Sequence, residues 1–77
     1  MSLKEILVDA RGHRCPVPTL RLRRALEDAP ADAAVRLLAD DPLARIDVPH
    51  FAAGGGFVIL DRSESEGVLN FLVGRPA

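Results

Sequence analysis

The chain is 77 residues long, enough for one domain spanning 1–77, and a domain of that size buries only about 60% of the surface its unfolded chain exposes. A hydrophobic fraction of 48% supplies a core, yet no apolar run approaches the ~18 residues that would span a membrane. A single cysteine excludes an internal disulfide and with it a disulfide-stapled secreted fold, and a net charge of -1 gives no strongly basic or acidic whole.

In chain order, "MSLKEILVDA" reads as a short strand with charges rather than a signal peptide, the strand running from about Glu5 to Asp9. A loop with Gly12 covers Arg11 to Arg14. From Pro16 the spacing turns helical: Pro18, Leu22, Ala25, Leu26 and Ala29 recur on one side, with Arg21, Arg24 and Asp28 opposite, until Pro30 stops the helix. "AAVRLLA", Ala33 to Ala39, is a second strand with Val35, Leu37 and Ala39 on one face. Asp41 then serves as N-cap and Pro42 as first residue of a second helix, predicted from about Pro42 to Ala53. Its apolar stripe is expected at Leu43, Ile46, His50 and Ala53, His50 lying at the core edge. Pro49 should kink or break it, with Asp47 recapping the second part. Gly54, Gly55 and Gly56 end it; without a following Lys and Ser/Thr they are no phosphate loop. "FVILDRS" and "VLNFLVG" are strands, and "ESEG" between them makes an antiparallel hairpin.

The order β-α-β-α-β-β predicts an α+β fold, a two-layer sandwich in which two helices cover one face of a four-stranded mixed sheet. Arg36, Arg62 or Asn70 should mark the open sheet face, depending on register. Strand order stays open at this point.

The segment that carries chemistry is "DARGHRCPVP", Asp9 to Pro18. The first turn of a helix has N–H groups without intrahelical partners, so Pro16 and Pro18 cost nothing there. Cys15 then falls at the N-cap, its sulfur facing the N–H groups of Val17 and Thr19 at the positive end of the helix dipole. Six basic residues (Lys4, Arg11, Arg14, Arg21, Arg23, Arg24) against two acidic ones (Glu5, Asp9) fall within residues 1–26. A helix start and neighbouring cations both lower a thiol pKa. The expected Cys15 is therefore an activated thiolate, with His13 as a possible further modulator. A buried structural cysteine is the alternative that the flanking prolines and the cap position weigh against. Asp40 reads as a solvated carboxylate. One cysteine and two histidines, His13 and His50, form no recognisable ligand spacing, so no metal is expected.

Asp9 to Pro18 resembles the D-x-x-G-x-x-C-P-x-P signature of the TusA/SirA-like sulfur carrier family. The likeness continues in "ADDPLARIDVPHF", where Asp40, Asp41, Pro42, Asp47, Val48 and Pro49 match a D-D-P-x-x-x-x-D-[IV]-P segment. The resemblance implies the same β-α-β-α-β-β fold and makes Cys15 the residue that holds a sulfane sulfur as a persulfide. Asp9, Gly12, Arg14, Pro16 and Pro18 are then the supporting positions around it. It implies a sulfurtransferase acting as a relay, charged by a cysteine desulfurase or a rhodanese-like donor and discharged to an acceptor protein. The pathways so served are tRNA thiolation, molybdenum cofactor assembly and sulfur-compound oxidation. No metal or organic cofactor is implied, and a cytoplasmic monomer that makes no use of a membrane is expected. Two departures stand out. The position of His13 is usually aliphatic in the family. The second cysteine found in the second helix of some members is absent, Ala52 and Ala53 standing in that region, so no resolving thiol exists.

The alternative is a non-catalytic regulatory module of the same fold that binds RNA or protein. The arginines between Arg11 and Arg24 could meet phosphates. Against direct RNA binding stand the net negative charge and only three aromatic residues, Phe51, Phe57 and Phe71, all expected in the core.

Overall fold

The computed structural model describes residues 4–76. Six elements follow in order: β1 (Lys4–Asp9), α1 (Val17–Asp28), β2 (Ala33–Ala39), α2 (Ala44–Gly55), β3 (Val58–Ser65) and β4 (Val68–Gly74). They form one four-stranded sheet in the order β1-β2-β4-β3, with β1 parallel to β2 and the other pairs antiparallel. The predicted α+β sandwich with a mixed sheet is therefore the fold. Parallel strands need a crossover, and α1 provides it between β1 and β2.

The core is built from alternating residues. Val8 of β1, Val35, Leu37 and Ala39 of β2, and Leu69, Phe71 and Val73 of β4 are buried on the helix-covered side. α1 meets them with Pro18, Leu22 and Leu26, all fully or almost fully buried, as its apolar spacing predicts. Burying a side chain of this size is worth about 1.5–3 kcal/mol, so Leu22 and Leu26 anchor the helix.

α2 departs from the sequence reading in three ways. It begins at Ala44 and ends at Gly55, two residues later at each end than the predicted span of Pro42 to Ala53. It continues through Pro49 without a break, and Asp47 does not recap it. Its buried residues are Ala44, Val48 and Ala52, while Leu43 and Ile46 are 55% and 69% exposed and His50 and Ala53 also face outward. Both stripes have helical spacing, and size decides between them. Alanines let the helix lie close on the sheet, where a leucine and an isoleucine would hold it off. Gly56, with φ 77°, closes the helix by donating its N–H to the Ala52 carbonyl, as the glycine run predicts.

The hairpin turn is Glu66–Gly67, both with positive φ, matching the twist of a two-residue hairpin. Farther along β3, Leu60 is an extra residue between the pairs Ile59–Val73 and Asp61–Leu72. The bulge turns Arg62 onto the helix side, where its guanidinium lies 5.6 Å from the centre of the Phe71 ring. Of the three residues expected on the open face, Arg36 and Asn70 are there, joined by a 2.7 Å hydrogen bond, and Arg62 is not. Arg36 also pairs with Glu5 at 3.1 Å, linking β1, β2 and β4 across that face. Among the described residues no helix is long and apolar enough to cross a membrane.

Candidate functional site: a thiol where two helices begin

Cys15 is half-buried at the end of the β1–α1 loop and packs against the core cluster without joining it. The loop is shaped by its own residues. Gly12 has φ +84°, a conformation that suits glycine, and nothing lies within 4 Å of where its side chain would be. Its N–H is bonded to both carboxylate oxygens of Asp40, at 3.0 and 3.1 Å. Asp40 is thus exposed but engaged, where the sequence suggested only a solvated group.

The helix start differs from the one expected. α1 begins at Val17, with Pro16 at the cap position and Pro18 second in the helix, so Cys15 lies one residue before the cap. No side chain caps it, and the Val17 N–H is already taken by the Arg14 carbonyl at 2.9 Å. Of the two helix-end donors expected to face the sulfur, that of Val17 is therefore not free.

The neighbours of the sulfur come from α2 instead. The Cys15 backbone N–H donates to Asp41 Oδ2 at 2.7 Å, which brings that carboxylate beside the sulfur. Burial first, then the neighbouring carboxylates of Asp47 and Asp41, push the thiol pKa up to about 11. The expected activated thiolate is corrected here: at neutral pH the sulfur is protonated. Two of the basic residues near Cys15 in sequence are occupied elsewhere. Arg11 is paired with Asp9 at 2.7 Å, and Arg21 donates to the Asp9 carbonyl at 2.8 Å. The Arg11 bonds hold Asp9 well below its usual range, at about 2. Asp9 thus anchors the loop through two arginines rather than acting on the sulfur. Arg14 is exposed and its charge falls on Asp41.

Asp41 does two jobs. One oxygen accepts the Leu43 N–H at 3.0 Å, as a cap would, and the other accepts the Cys15 N–H. These bonds hold its carboxyl below the ordinary value. The helix proper starts later because Ala44, Arg45 and Ile46 first bond to the carbonyls three residues back, those of Asp41, Pro42 and Leu43. Pro42 lies in that tight turn. His13 is exposed in the loop and lines a shallow cleft of about 290 Å³ with Gly12, Arg14, Asp40, Asp41 and Pro42. The charges acting on the thiol are those of Asp41 and Asp47.

Asp47 is the residue that sequence reasoning placed without a part in the site. The signal available was the D-D-P-x-x-x-x-D spacing, which carries Asp47 about one and two-thirds helical turns beyond Asp41. The starts of both helices also expose apolar side chains: Val17 (37%) and Leu20 (55%) on α1, Leu43 just before α2 and Ile46 within it. The aromatics offer no stacking platform for bases: Phe71 is buried, and half-buried Phe51 and Phe57 stack on each other with ring centres 5.6 Å apart. Among the described residues no group of three His, Cys, Asp or Glu is placed to hold a metal ion.

Comparison with known proteins gives a consistent picture. The sequence profile of the family described as "Sulfurtransferase TusA" matches residues 6–75. The sulfur carrier protein TusA of Pseudomonas fluorescens is 32% identical over 60 residues, 78% of this chain and 72% of that one. The protein of the same name in Pseudomonas entomophila is 27% identical over 75 residues, covering 97% and 94%. The crystal structure of a SirA-like protein from Desulfitobacterium hafniense superposes with a TM-score of 0.76 at 30% identity, covering 87% of this chain and 92% of that one.

Proposed function

Because the chain belongs to the TusA sulfurtransferase family, we propose that it is a sulfur carrier and that Cys15 bears the cargo as a persulfide. The observation that carries this reading is the position of the thiol: a lone cysteine, half-buried at the edge of the core, where two helices begin and apolar side chains are exposed. Exposed apolar residues at such a rim favour a protein partner over bulk solvent.

The transfer needs no cofactor. The Cys15 sulfur attacks the terminal sulfur of a donor persulfide, a new S–S bond forms at Cys15, and the donor's S–S bond breaks. The donor leaves as a thiol carrying the proton that Cys15 gave up, so Cys15–SH and donor–S–SH become Cys15–S–SH and donor–SH. The raised thiol pKa suits storage. A thiolate of high pKa is a poor leaving group, so the loaded sulfur is released slowly until a partner changes the surroundings. With one cysteine in the chain, no internal disulfide discharges it. The donors that fit are a cysteine desulfurase or a rhodanese-like protein, and the acceptor is a second protein in tRNA thiolation, molybdenum cofactor assembly or sulfur-compound oxidation. A relay between such partners places the protein in the cytoplasm.

The test is mass spectrometry of the intact protein after incubation with a cysteine desulfurase and cysteine. A gain of one sulfur atom, reversed by dithiothreitol and absent in Cys15→Ser, is expected. A folded protein that gains none from a desulfurase or from a rhodanese with thiosulfate would overturn the reading.

A further inference from the structure

The loop around Cys15 has the parts of an anion site, and the chain fills them itself. Backbone N–H groups that converge on a turn ordinarily attract phosphate, sulfate or similar anions. Here the Gly12 N–H is held by Asp40 at 3.0 Å and the Cys15 N–H by Asp41 at 2.7 Å. The negative charge of Asp47 bears on the thiol itself. Three carboxylates from the start of α2 and the turn before it thus face the loop that carries the sulfur. On the loop side the charged and titratable groups are Arg14, whose charge falls on Asp41, Arg11, which is paired with Asp9, and His13. From α1, Arg21 reaches back to the Asp9 carbonyl.

We propose that Asp41 and Asp47 make Cys15 selective for the charge of its sulfur donor, admitting a persulfide presented by a protein and discriminating against small sulfur oxyanions. The proposal rests on Cys15 being the sulfur-bearing residue. With thiosulfate as donor, the Cys15 thiolate attacks the outer sulfur, an S–S bond forms at Cys15, the thiosulfate S–S bond breaks and sulfite leaves with both its charges. A dianion must approach, and a dianion must depart, beside Asp41 and Asp47. A persulfide on a protein brings at most one negative charge against the two of thiosulfate, and its host can bring cations to the carboxylates. Like charges at close range suppress encounter, and salt screens the effect only in part where the groups are half-buried.

Two alkylating reagents of nearly the same shape separate charge from reactivity. Iodoacetate is an anion and iodoacetamide is neutral. Both need the thiolate, so the ratio of their rates cancels the thiolate fraction. In the folded protein at low salt, the iodoacetate-to-iodoacetamide ratio should be about tenfold below that of the urea-unfolded chain, which supplies the intrinsic difference between the reagents. Asp47→Asn should recover at least about threefold of it, and 0.5 M sodium chloride should recover part of it in the wild type. The salt arm decides the matter should the variant not fold. Thiosulfate alone should load the wild type far more slowly than a desulfurase with cysteine, and Asp47→Asn should narrow that gap. Equal reagent ratios in folded and unfolded protein, or equally fast loading by thiosulfate and desulfurase, would overturn the proposal. Absence of loading from every donor would instead sink the carrier reading, and the reagent ratio would still report on charge selection.

Discussion

Asp41→Ala is the substitution on which the site geometry makes its sharpest demand. The sequence reading assigned Asp41 to a helix cap, a role whose loss costs about 0.5–2 kcal/mol and leaves the thiol untouched. The structure gives it two N–H partners in two segments, Leu43 at 3.0 Å and Cys15 at 2.7 Å. Leu43 is largely exposed, so water replaces most of what its N–H loses, and that bond is worth roughly 0.5–1 kcal/mol. The Cys15 N–H is half-buried and loses a charged acceptor, which costs about 1.5–3 kcal/mol. The sum is about 2–4 kcal/mol, or roughly 12–24 °C in thermal midpoint for a chain of this length. Thermal melting followed by circular dichroism reads it directly. Asp41→Asn, which keeps one acceptor oxygen, should lose about half as much. The alanine variant should also alkylate faster at neutral pH, because one charge that disfavours the thiolate is gone. A midpoint within about 3 °C of wild type would refute the bridging role.

Two further expectations concern the thiol and the core. The rate of iodoacetamide alkylation at Cys15 should climb with pH to about 11 in the folded protein, whereas the unfolded chain should level off near the ordinary thiol value of 9.0. His13→Leu should leave that profile where it is, since the acting charges are Asp41 and Asp47; a displaced curve would restore His13 as a modulator. Leu22→Ala, at a fully buried position of α1, should cost about 2–5 kcal/mol and leave a domain this small largely unfolded at 37 °C by circular dichroism.

What could be read in advance followed periodicity and local chemistry. The face of α1 with Leu22 and Leu26, the inward residues of β2, the glycine stop at Gly56 and the hairpin turn were legible because each depends on a few neighbours in sequence. The buried face of α2 was not. A hydrophobic pattern ranks Leu43 and Ile46 above Ala44 and Ala52, but closeness to the sheet ranks them the other way. The chemistry of Cys15 failed for a related reason. Arg11, Arg14 and Arg21 are near it along the chain, yet Asp9 engages two of them, and Asp41, 26 residues away, holds the Cys15 amide. Electrostatic surroundings are set in space, and no count of charges along 1–26 contains them. The strand order β1-β2-β4-β3 likewise depends on which edges meet, which a single sequence does not encode locally.

The extra residue at Leu60 protects the molecule at high concentration. β3 is an outermost strand, and an unpaired strand edge invites any extended chain to add itself, the first step of ordered aggregation. A bulge interrupts the regular spacing of amides such an intruder would need. A carrier has to expose apolar surface at its helix starts to meet its partners. An irregular β3 edge leaves the exposed apolar side chains at the helix starts as the surface offered to partners at the end that holds the cargo.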